Sequence, residues 1–445
     1  MGKPTVVSLF AGAGGMDLGF KQAGFDIVWA NDFDADSVRT YQRNLGRHII
    51  LGDIKDIKSK DIPNNPDVVI GGFPCQGFSI NNKKRSMEDE RNHLYKEMLR
   101  IIKDKKPKYF VAENVKGILS IEKGQVIDLI IEDFKKIGYK VDYRLLTASD
   151  YGVPQNRQRV FIIGNRINKE NPYPEITHYN PNLKKNQQLD LFNSKLKPYV
   201  TAKEALEHLA NKRISYDPIS NGKGKIYNHI ARTNVQDTFW GRKYKVNQHD
   251  ICDYLKKARN NSEWSTQKID EHFGYRHTAG HWFRKDNNSG SIPNPDDWWE
   301  LKKLLKFDDK YDKAVTTLEE KKITFEQSLR IANWDTPSDT ITATGTEIHP
   351  NKKRRISVRE AAILQTFPDN FVFEGAMGSM YKQIGNAVPV SLGKAIGKLI
   401  VNHALRKKIR VINNFKYSRY LNTSDLDWHN SLDKKIASNQ KSFNF

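Results

Sequence analysis

Residues 4–19 read PTVVSLFAGAGGMDLG, an apolar run that leads into a glycine-rich turn. The run over Thr5–Phe10 has the length and apolar content of a buried strand. Glycines after such a strand let the backbone approach a nucleotide-like ligand without an intervening side chain. The turn lacks the dinucleotide-binding spacing, and similar turns also serve packing alone. The stretch therefore predicts a strand, a turn and a helix, and leaves a ligand role and a packing role both open.

An alternation of predicted strands and helices begins here and continues to about residue 165. Four further apolar runs are predicted strands: Asp26–Asn31, Asp67–Gly71, Lys108–Ala112 and Arg159–Gly164. Apolar residues at three- and four-residue spacing predict helices at Asp34–Asn44, Asn92–Lys103 and Gln125–Ile137. This alternation predicts an α/β fold, with a mostly parallel sheet and helices on both faces. Because ligands bind at the carboxyl ends of such strands, the residues just after each strand form the candidate site.

The composition narrows the class of protein. The chain has 445 residues, with 73 Lys and Arg against 52 Asp and Glu, a formal charge of +21. Such an excess predicts a polyanionic partner, with nucleic acid first. No apolar stretch reaches the length of a membrane span, so we expect neither a membrane segment nor a cleaved signal. Two cysteines are too few for a disulfide framework or a four-thiolate zinc site, and no metal is expected.

The character of the chain changes near residue 168, where Asn, Lys, Pro and Tyr become frequent and the strand–helix rhythm stops. The rhythm returns with predicted helices at Val358–Leu364 and Val388–His403. We therefore expect a first domain over residues 1–166, a second over 167–353, a return to the first over 354–405, and a basic tail over 406–445.

Acidic residues follow the next two strands. Asp32 stands between Asn31 and Phe33, and Asp53 follows Gly52. A carboxylate after the second strand suits ribose hydroxyls, and one after the third suits an exocyclic amine. Helix capping and a simple turn would explain each residue singly, so their order after successive strands carries the functional interpretation.

Cys75 lies in the loop GGFPCQGFS, residues 71–79, directly after a buried strand. An exposed cysteine there can act as a nucleophile, because nearby backbone N–H groups lower its pKa. The alternative is a small buried hydrophobe, but the Pro, Gln, Gly and Ser neighbours are poor core residues. Cys252 lies in a helical pattern and is interpreted as structural.

Charged residues also follow the later strands. Glu113 ends the strand that begins at Lys108, and a buried glutamate is costly unless it binds something. Arg157 and Arg159 are two positions apart as they enter a strand, so they are expected on one face. Solvent-facing arginines are the alternative for either one.

Together these motifs closely resemble the DNA cytosine-5 methyltransferases, the bacterial modification enzymes that use S-adenosylmethionine. The resemblance covers residues 4–166 and 354–403, with the family's order and spacing of motifs. The motifs are Phe10-Ala11-Gly12 with Gly14-Gly15, Pro74-Cys75-Gln76, Glu113-Asn114-Val115, Gln155 with Arg157 and Arg159, and Gly385-Asn386. The resemblance implies a Rossmann-like catalytic domain, here residues 1–166 and 354–405, and a smaller target-recognition domain, here 167–353.

The resemblance also implies a mechanism. The thiolate of Cys75 would add to C6 of a flipped-out cytosine and make C5 nucleophilic. Glu113 would hold N3 and the 4-amino group, while Arg159, with Arg157 nearby, would bind the O2 side.

The cofactor implied is S-adenosylmethionine, held by a set of residues drawn from the whole catalytic domain. The set is Phe10, Gly12, Gly14, Gly15, Asp32, Phe33, Asp53, Ile54, Pro74, Leu94, Asn386 and Val388. Family members often have Glu where Asp32 stands. Because the aspartate side chain is shorter, we expect the ribose contact to differ in reach.

Residues expected to contact DNA come from four segments. The polar loop from Gln76 to about Asn92 resembles the family's mobile loop, and Thr340 and Thr342 resemble its recognition segment. Residues 265–284 read as a helix-turn-helix, and the Lys352-Lys353 run suits phosphate. A solvated loop, a helical hairpin and a solvated hinge are the alternatives. The remaining candidates are Ser79, Lys83 and Arg85 in the loop and Arg276, His277, Thr278 and His281 in the second helix.

Three other functions compete with DNA cytosine-5 methylation as explanations of the sequence. A tRNA cytosine methyltransferase shares the motifs, although the long middle domain favours reading duplex sequence. An amino-methyltransferase needs an Asp/Asn-Pro-Pro-Tyr/Phe motif, which is absent. A non-catalytic DNA-binding regulator would not need Cys75, Glu113, Arg157 and Arg159. The expected protein is a monomer in the bacterial cytoplasm that acts on double-stranded DNA, and a restriction endonuclease for the same site is compatible with the sequence.

Overall fold

The computed structural model describes most of the chain. The described residues are 2–74, 94–181, 196–222, 224–231, 240–243, 248–273, 282–283, 292–293, 295–316, 319–322, 330–345, 347–350 and 354–405. The chain forms two compact units. The first comprises Met1–Ala231, Ile331–Pro350 and Arg355–Phe445, and the second comprises Arg232–Arg330 and Asn351–Arg354.

The first unit is built on a seven-stranded sheet. Its strands are β1 (Thr5–Leu9), β2 (Asp26–Asp32), β3 (Ile49–Leu51), β4 (Val68–Gly71), β5 (Tyr109–Val115), β6 (Lys140–Thr147) and β7 (Gln158–Asn165). Their order in the sheet is β3-β2-β1-β4-β5-β7-β6. Only β7 runs antiparallel to its neighbours, which confirms the predicted mostly parallel sheet. The order reverses between β1 and β4, so a crevice is expected at their carboxyl ends.

Helices cover both faces of this sheet, as predicted. The described helices are α1 (Gly15–Ala23), α2 (Ala35–Asn44), α3 (Leu94–Lys105), α4 (Gln125–Lys136), α5 (Ala202–Leu206), α6 (Gln248–Asn260), α7 (Thr266–Phe273), α8 (Pro295–Leu305), α9 (Asp312–Thr316), α10 (Val358–Leu364), α11 (Met377–Asn386) and α12 (Val390–Leu405). Apolar residues of α3 and α4 pack on one face of the sheet, and those of α1 and α12 pack on the other. The alternation of side chains along each strand supplies the apolar surface for both layers.

Helices α1 and α12 pack closely because glycines line their contact. A Cβ on Gly19 would lie 2.6 Å from the backbone N of Lys394, and one on Gly393 would lie 3.3 Å from the Cα of Met16. The span Met377–Asn402 has a mean hydropathy of 1.2, enough by length and composition to cross a membrane. Its apolar residues instead pack against the sheet and α1, as expected of a core helix.

The boundary between the two units differs from the predicted domain boundaries. Residues 167–231 and 331–350 belong to the first unit and not to a separate middle domain. Helix α5 starts with a capping box between Thr201 and Glu204, and it packs on α10 in a shared apolar core. This contact, between segments far apart in sequence, holds residues 196–231 to the first unit.

Short strand pairs complete the first unit. They are β8 (His178–Tyr179) with β9 (Lys197–Pro198), and β10 (Ile219–Ser220) with β11 (Lys225–Ile226). Strand β14 (Arg330–Ile331), which pairs with β15 (Glu347–Ile348), begins at Arg330 of the second unit and continues into the first. Strands β12 (Trp240–Lys243) and β13 (Glu319–Lys322) form an antiparallel pair in the second unit.

The second unit has an apolar core of its own, formed by α6 to α9 with other buried residues. Helix α7 confirms the first helix of the predicted helix-turn-helix. Of the second predicted helix, Trp282 and Phe283 are the described residues, and both are buried. Cys252 is also buried, in agreement with a structural role. Trp298 of α8 is fully buried in this core, whereas Trp299 is 43% exposed.

Candidate active site

The glycine-rich turn after β1 adopts a strained backbone at the carboxyl edge of the sheet. Phe10 and Gly12 have φ angles of 54° and 55°, in the left-handed region. That conformation is costly for a phenylalanine and persists only when the surroundings impose it. Here Ala11 N donates to Asn31 O at 2.9 Å, and Gly14 N donates to Ala11 O at 2.9 Å. The turn is therefore tied to the end of β2.

Asp32 holds the same turn through its side chain. One carboxylate oxygen accepts from Gly12 N at 2.7 Å and the other from Asp34 N at 2.9 Å. Burial raises the pKa of Asp32, and the two backbone donors limit the rise. The cap of α2 is Asp34, whose side chain accepts from Ser37 N. Asp32 thus links two loops at the sheet edge.

The turn after β3 lies beside this carboxylate. The Asn31 amide donates to Ile50 O at 3.2 Å and to Gly52 O at 2.9 Å, which fixes the turn against β2. Asp53 is exposed and accepts from Lys55 N at 3.0 Å, so it does form the local turn that its sequence allowed. Ile54 is buried, whereas Phe33 is 67% exposed. A large exposed ring next to a buried carboxylate is typical of a ligand site rather than of a core.

The glycines of the turn divide into two kinds. A Cβ on Gly12 would meet nothing within 4 Å, so this glycine faces open space. A Cβ on Gly14 would lie 2.3 Å from Leu45 Cδ1, and one on Gly15 would lie 2.5 Å from Val388 O. Packing therefore requires Gly14 and Gly15, while Gly12 leaves room for a ligand. The contact also brings Val388 to the turn after β1.

A buried acid lies directly behind the turn, and sequence reasoning assigned it no role. Asp17, on α1, accepts from Ser8 Oγ at 3.0 Å and from Tyr41 OH at 2.9 Å. Tyr41 OH also lies 3.1 Å from His48 Nε2. Burial raises the pKa of Asp17 to about 6 against the lowering effect of the two hydroxyls. A carboxylate among the apolar positions of α1 was the signal that could have identified it.

Glu113 and Arg159 form a buried ion pair at the edge where β5 ends. Arg159 Nε lies 2.8 Å from Glu113 Oε1, and both side chains are about one-tenth exposed. Burial raises the pKa of Glu113, and the Arg159 and Arg157 guanidinium groups limit the rise. A carboxyl group with a raised pKa, held at the crevice edge, is suited to donating a proton.

Arg157 does not share the environment expected from its spacing. Its side chain is fully buried, and its two terminal nitrogens donate to Ile341 O at 3.1 Å and Gly385 O at 2.7 Å. Backbone carbonyls thus occupy both terminal nitrogens of Arg157, and its expected place near the O2 side of the cytosine stays a prediction. Arg157 precedes β7 and turns to the segment around residue 341, whereas Arg159 lies within the strand.

Gln155 and Gly385 contact the same segment that Arg157 holds, around Ile341. Gln155 Oε1 accepts from Ile341 N at 2.9 Å, and its amide donates to Leu364 O. A Cβ on Gly385 would lie 2.3 Å from Ala343 N, so only glycine allows this close approach. Asn386 follows and is exposed at the end of α11.

Thr340 and Thr342, expected to contact DNA, lie in the first unit. Thr340 Oγ1 donates to Asn156 O at 3.1 Å, and Thr342 Oγ1 donates to Glu347 Oε1 at 3.2 Å. Both side chains are half-buried, and their DNA contacts stay a prediction.

Several predicted site residues lie outside the described residues. They are Cys75, Gln76, Ser79, Lys83, Arg85, Arg276, His277, Thr278, His281, Lys352 and Lys353. The described residues that flank the segment 75–93 are Pro74 and Leu94, and both are half-buried. The strand ends thus bring Phe10, Gly12, Asp32, Phe33 and Glu113 to one edge of the sheet.

Comparison with known proteins identifies the family. The sequence profile of the C-5 cytosine-specific DNA methylases matches residues 4–402. The chain belongs to this family. It is a DNA cytosine-5 methyltransferase, and the predicted Rossmann-like fold of the methyltransferase domain is confirmed.

Relatives match the methyltransferase over most of its length. Type II methyltransferase M.NgoFVII of Neisseria gonorrhoeae is 33% identical over 406 residues, 88% of this chain and 86% of its own. Type II methyltransferase M.BspRI of Lysinibacillus sphaericus is 33% identical over 443 residues, 90% of this chain and 82% of its own. A solved Escherichia coli prophage-encoded DNA modification methyltransferase shares the fold, with a TM-score of 0.51 at 24% identity over 90% of this chain and 99% of its own.

Proposed function

We propose that this methyltransferase transfers a methyl group from S-adenosylmethionine to C5 of a cytosine in a specific sequence of double-stranded DNA. The observation that carries the proposal is the Glu113–Arg159 pair, which lies beside the segment leading to Cys75. The Type II relatives support a role in a restriction–modification system, in which methylation protects the host's own sites. A restriction endonuclease for the same sequence would then accompany it in the bacterial cytoplasm, and the enzyme itself would act as a monomer.

The cofactor fits the edge of the sheet as the described residues arrange it. Gly12 leaves open space, Asp32 presents a carboxylate fixed by two backbone donors, and Phe33 offers an exposed ring. Asp32 would bind the ribose hydroxyls, Phe10 would lie on the adenine face with Phe33 as a further contact, and Asp53 would accept from the adenine amine. When bound, S-adenosylmethionine supplies the methyl group from a sulfonium centre. The other proposed contacts are Gly14, Gly15, Ile54, Pro74, Leu94, Asn386 and Val388.

The residues around the cytosine have separate roles. The Cys75 thiolate forms a bond to C6 while the Glu113 carboxyl gives a proton to N3, which places electron density on C5. Arg159 holds the O2 side of the ring. After C5 is methylated, a base takes the C5 proton, the C6–S bond breaks so that Cys75 leaves as a thiolate, and N3 returns its proton to the Glu113 carboxylate. Arg157 holds residues 341 and 385, and its charge limits the rise in the pKa of Glu113.

A cytosine in duplex DNA cannot reach Cys75 until it is flipped out of the helix. Duplex binding is supported by the charge of +21. The proposed contacts are those expected from the sequence. The loop residues Gln76, Ser79, Lys83 and Arg85 would hold the flipped strand, and Arg276, His277, Thr278 and His281 would read bases. DNA around the target cytosine would be contacted by Thr340 and Thr342, and its phosphates by Lys352 and Lys353.

The test is bisulfite sequencing of DNA from cells that express the wild-type protein, Cys75→Ala or Cys252→Ala. We expect one protected cytosine in one sequence for the wild type and Cys252→Ala, and none for Cys75→Ala. Purified protein is also given duplex DNA and tRNA with labelled cofactor. Methylation of tRNA alone, or methylation by Cys75→Ala, would contradict the proposal.

A further inference from the structure

Strand β4 ends at Gly71, four residues before the proposed nucleophile Cys75, whereas the neighbouring strand β5 continues further along the sheet. The two strands pair in parallel from Val68 with Tyr109 to Gly71 with Ala112. Strand β5 extends three residues further, to Val115. If the same register is carried on, Gly72 lies beside Glu113 and Phe73 lies beside Asn114. The contacts of these four residues follow that extended register.

Gly72 leaves the space that the Glu113 carboxylate occupies. A Cβ on Gly72 would lie 3.0 Å from Glu113 Oε2, closer than ordinary van der Waals contact. Gly72 does not have a positive φ, so its backbone conformation is one that other residues adopt. A Cβ at this position would therefore press on the Glu113 carboxylate, which would have to move by a few tenths of an ångström.

Asn114 ties the departing segment to the end of β5. Its Nδ2 donates to Phe73 O at 3.0 Å, and its Oδ1 accepts from Val115 N at 2.9 Å. The second bond fixes the orientation of the amide, so that Nδ2 faces Phe73. Asn114 and Phe73 are both buried. The side chain thus replaces the ladder hydrogen bond that is lost when β4 ends.

We propose that Asn114 and Gly72 are positioning residues, which hold the end of β4 and Phe73, from which the chain continues to Cys75, beside the Glu113 carboxyl. Asn114 holds the carbonyl group of Phe73 through a hydrogen bond. Gly72, the residue before Phe73, leaves room for the Glu113 carboxylate. Nucleophile and proton donor must act on C6 and N3 of one ring, so a shift of about 1 Å between them slows the reaction. This inference rests on the proposed function, because it takes Cys75 as the nucleophile.

The test uses a duplex with 5-fluorocytosine at the methylated position, together with S-adenosylmethionine. Fluorine cannot leave C5 as a cation, so the C6–S bond persists and the adduct is counted on a denaturing gel. Asn114→Ala and Gly72→Ala are compared with two matched controls. Asn165→Ala removes a buried amide at the other end of the β5–β7 pairing, and Gly224→Ala adds a Cβ where nothing lies within 4 Å.

We expect adduct formation to slow by about 30-fold or more in Asn114→Ala and Gly72→Ala, and by less than about threefold in the controls. Cofactor and duplex Kd values, measured separately, should stay within about threefold of the wild type, because a merely structural loss would weaken them too. Asn114→Asp, which keeps the acceptor for Val115 N but loses the donor to Phe73 O, should behave as Asn114→Ala does. It replaces that variant if Asn114→Ala does not fold.

Two outcomes overturn the inference. In one, adduct formation in the Asn114 and Gly72 variants stays within threefold of the wild type. In the other, the Asn165→Ala control loses as much as Asn114→Ala. Failure of the proposed function is distinguishable, because the wild type would then form no adduct or Cys75→Ala would still methylate DNA.

Discussion

Arg159 Nε and Glu113 Oε1 are 2.8 Å apart across two antiparallel strands, and this pair lies where β5 ends and β7 begins. Side chains about one-tenth exposed are poorly hydrated, so the charged form of each depends on its partner. The pair therefore offers a carboxyl whose proton affinity is high and a guanidinium that keeps it in place. In the proposed reaction, both groups would bind one planar ring at the edge of the sheet.

Replacing Glu113 by Gln should lower the single-turnover methylation rate by about 10²- to 10⁴-fold, because Gln cannot give a proton to N3. The amide still accepts from Arg159, so folding and cofactor Kd should stay close to those of the wild type. Rapid-quench methylation assays measure the rate, and Glu132→Gln, at an exposed position on α4, serves as the control. A Glu113→Gln rate within tenfold of the wild type would remove Glu113 from the chemistry.

Asp17 should make the free energy of unfolding fall as pH rises. Its pKa of about 6 in the folded protein lies above the ordinary aspartate value of 3.8. The protonated form is therefore favoured by folding, and this stabilisation is present below about pH 4 and lost as pH rises through 6. Relative to Asp17→Asn, the wild type should lose about 2 kcal/mol between pH 4.5 and 7.5, from roughly 1.4 kcal/mol for each pH unit. Urea unfolding of both proteins at each pH measures this difference, and parallel curves would contradict the assignment.

Alanine at Gly12 and at Gly15 should separate ligand binding from packing. Gly15→Ala forces a Cβ against Val388 O, so unfolding should become easier by about 1–3 kcal/mol. Gly12→Ala meets no protein atom, and its positive φ should cost only about 1 kcal/mol. Its added methyl group enters the space proposed for the cofactor, so Kd for S-adenosylmethionine should rise by about tenfold or more. Calorimetric titration and urea unfolding on each variant test the distinction, which fails if Gly12→Ala binds the cofactor normally.

Binding to duplex DNA should weaken steeply with salt, because the charge of +21 implies many phosphate contacts. If about six phosphates are neutralised, log K should fall with a slope near −5 against log salt. Arg276→Ala should leave this slope almost unchanged and cost about 1–3 kcal/mol for the cognate site alone, as a base contact does. Filter binding over a range of salt concentrations measures both. A flat dependence would mean that the basic surface does not meet DNA phosphates.

The sequence predicted the central strands well, because β1, β4 and β5 are buried on both faces and read as continuous apolar runs. It placed Asp53 after a third strand but gave no bounds for β3, which has only three residues and exposes two of them. It also missed β6, a strand at the edge of the sheet whose apolar positions are interrupted by charged residues.

The candidate site was predicted in its residues but not in its contacts. The strand ends located Asp32 and Glu113, because parallel strands bring their carboxyl ends to one edge. Spacing alone could not separate Arg157 from Arg159, since the carbonyl groups that hold Arg157 come from residues 341 and 385. The packing role of Gly15 depends in the same way on Val388, more than 370 positions away in the chain.

The return of α12 to pack on α1 has a consequence for biosynthesis. During translation the glycine-rich turn and α1 leave the ribosome well before α12, the helix that covers Gly19. The nascent chain therefore carries an uncovered apolar face of the sheet while the whole of the second unit is made. Contacts of such long sequence separation form slowly. A growing chain should need protection from aggregation over this interval, and a message truncated before the codon for Val390 should yield a product that cells degrade.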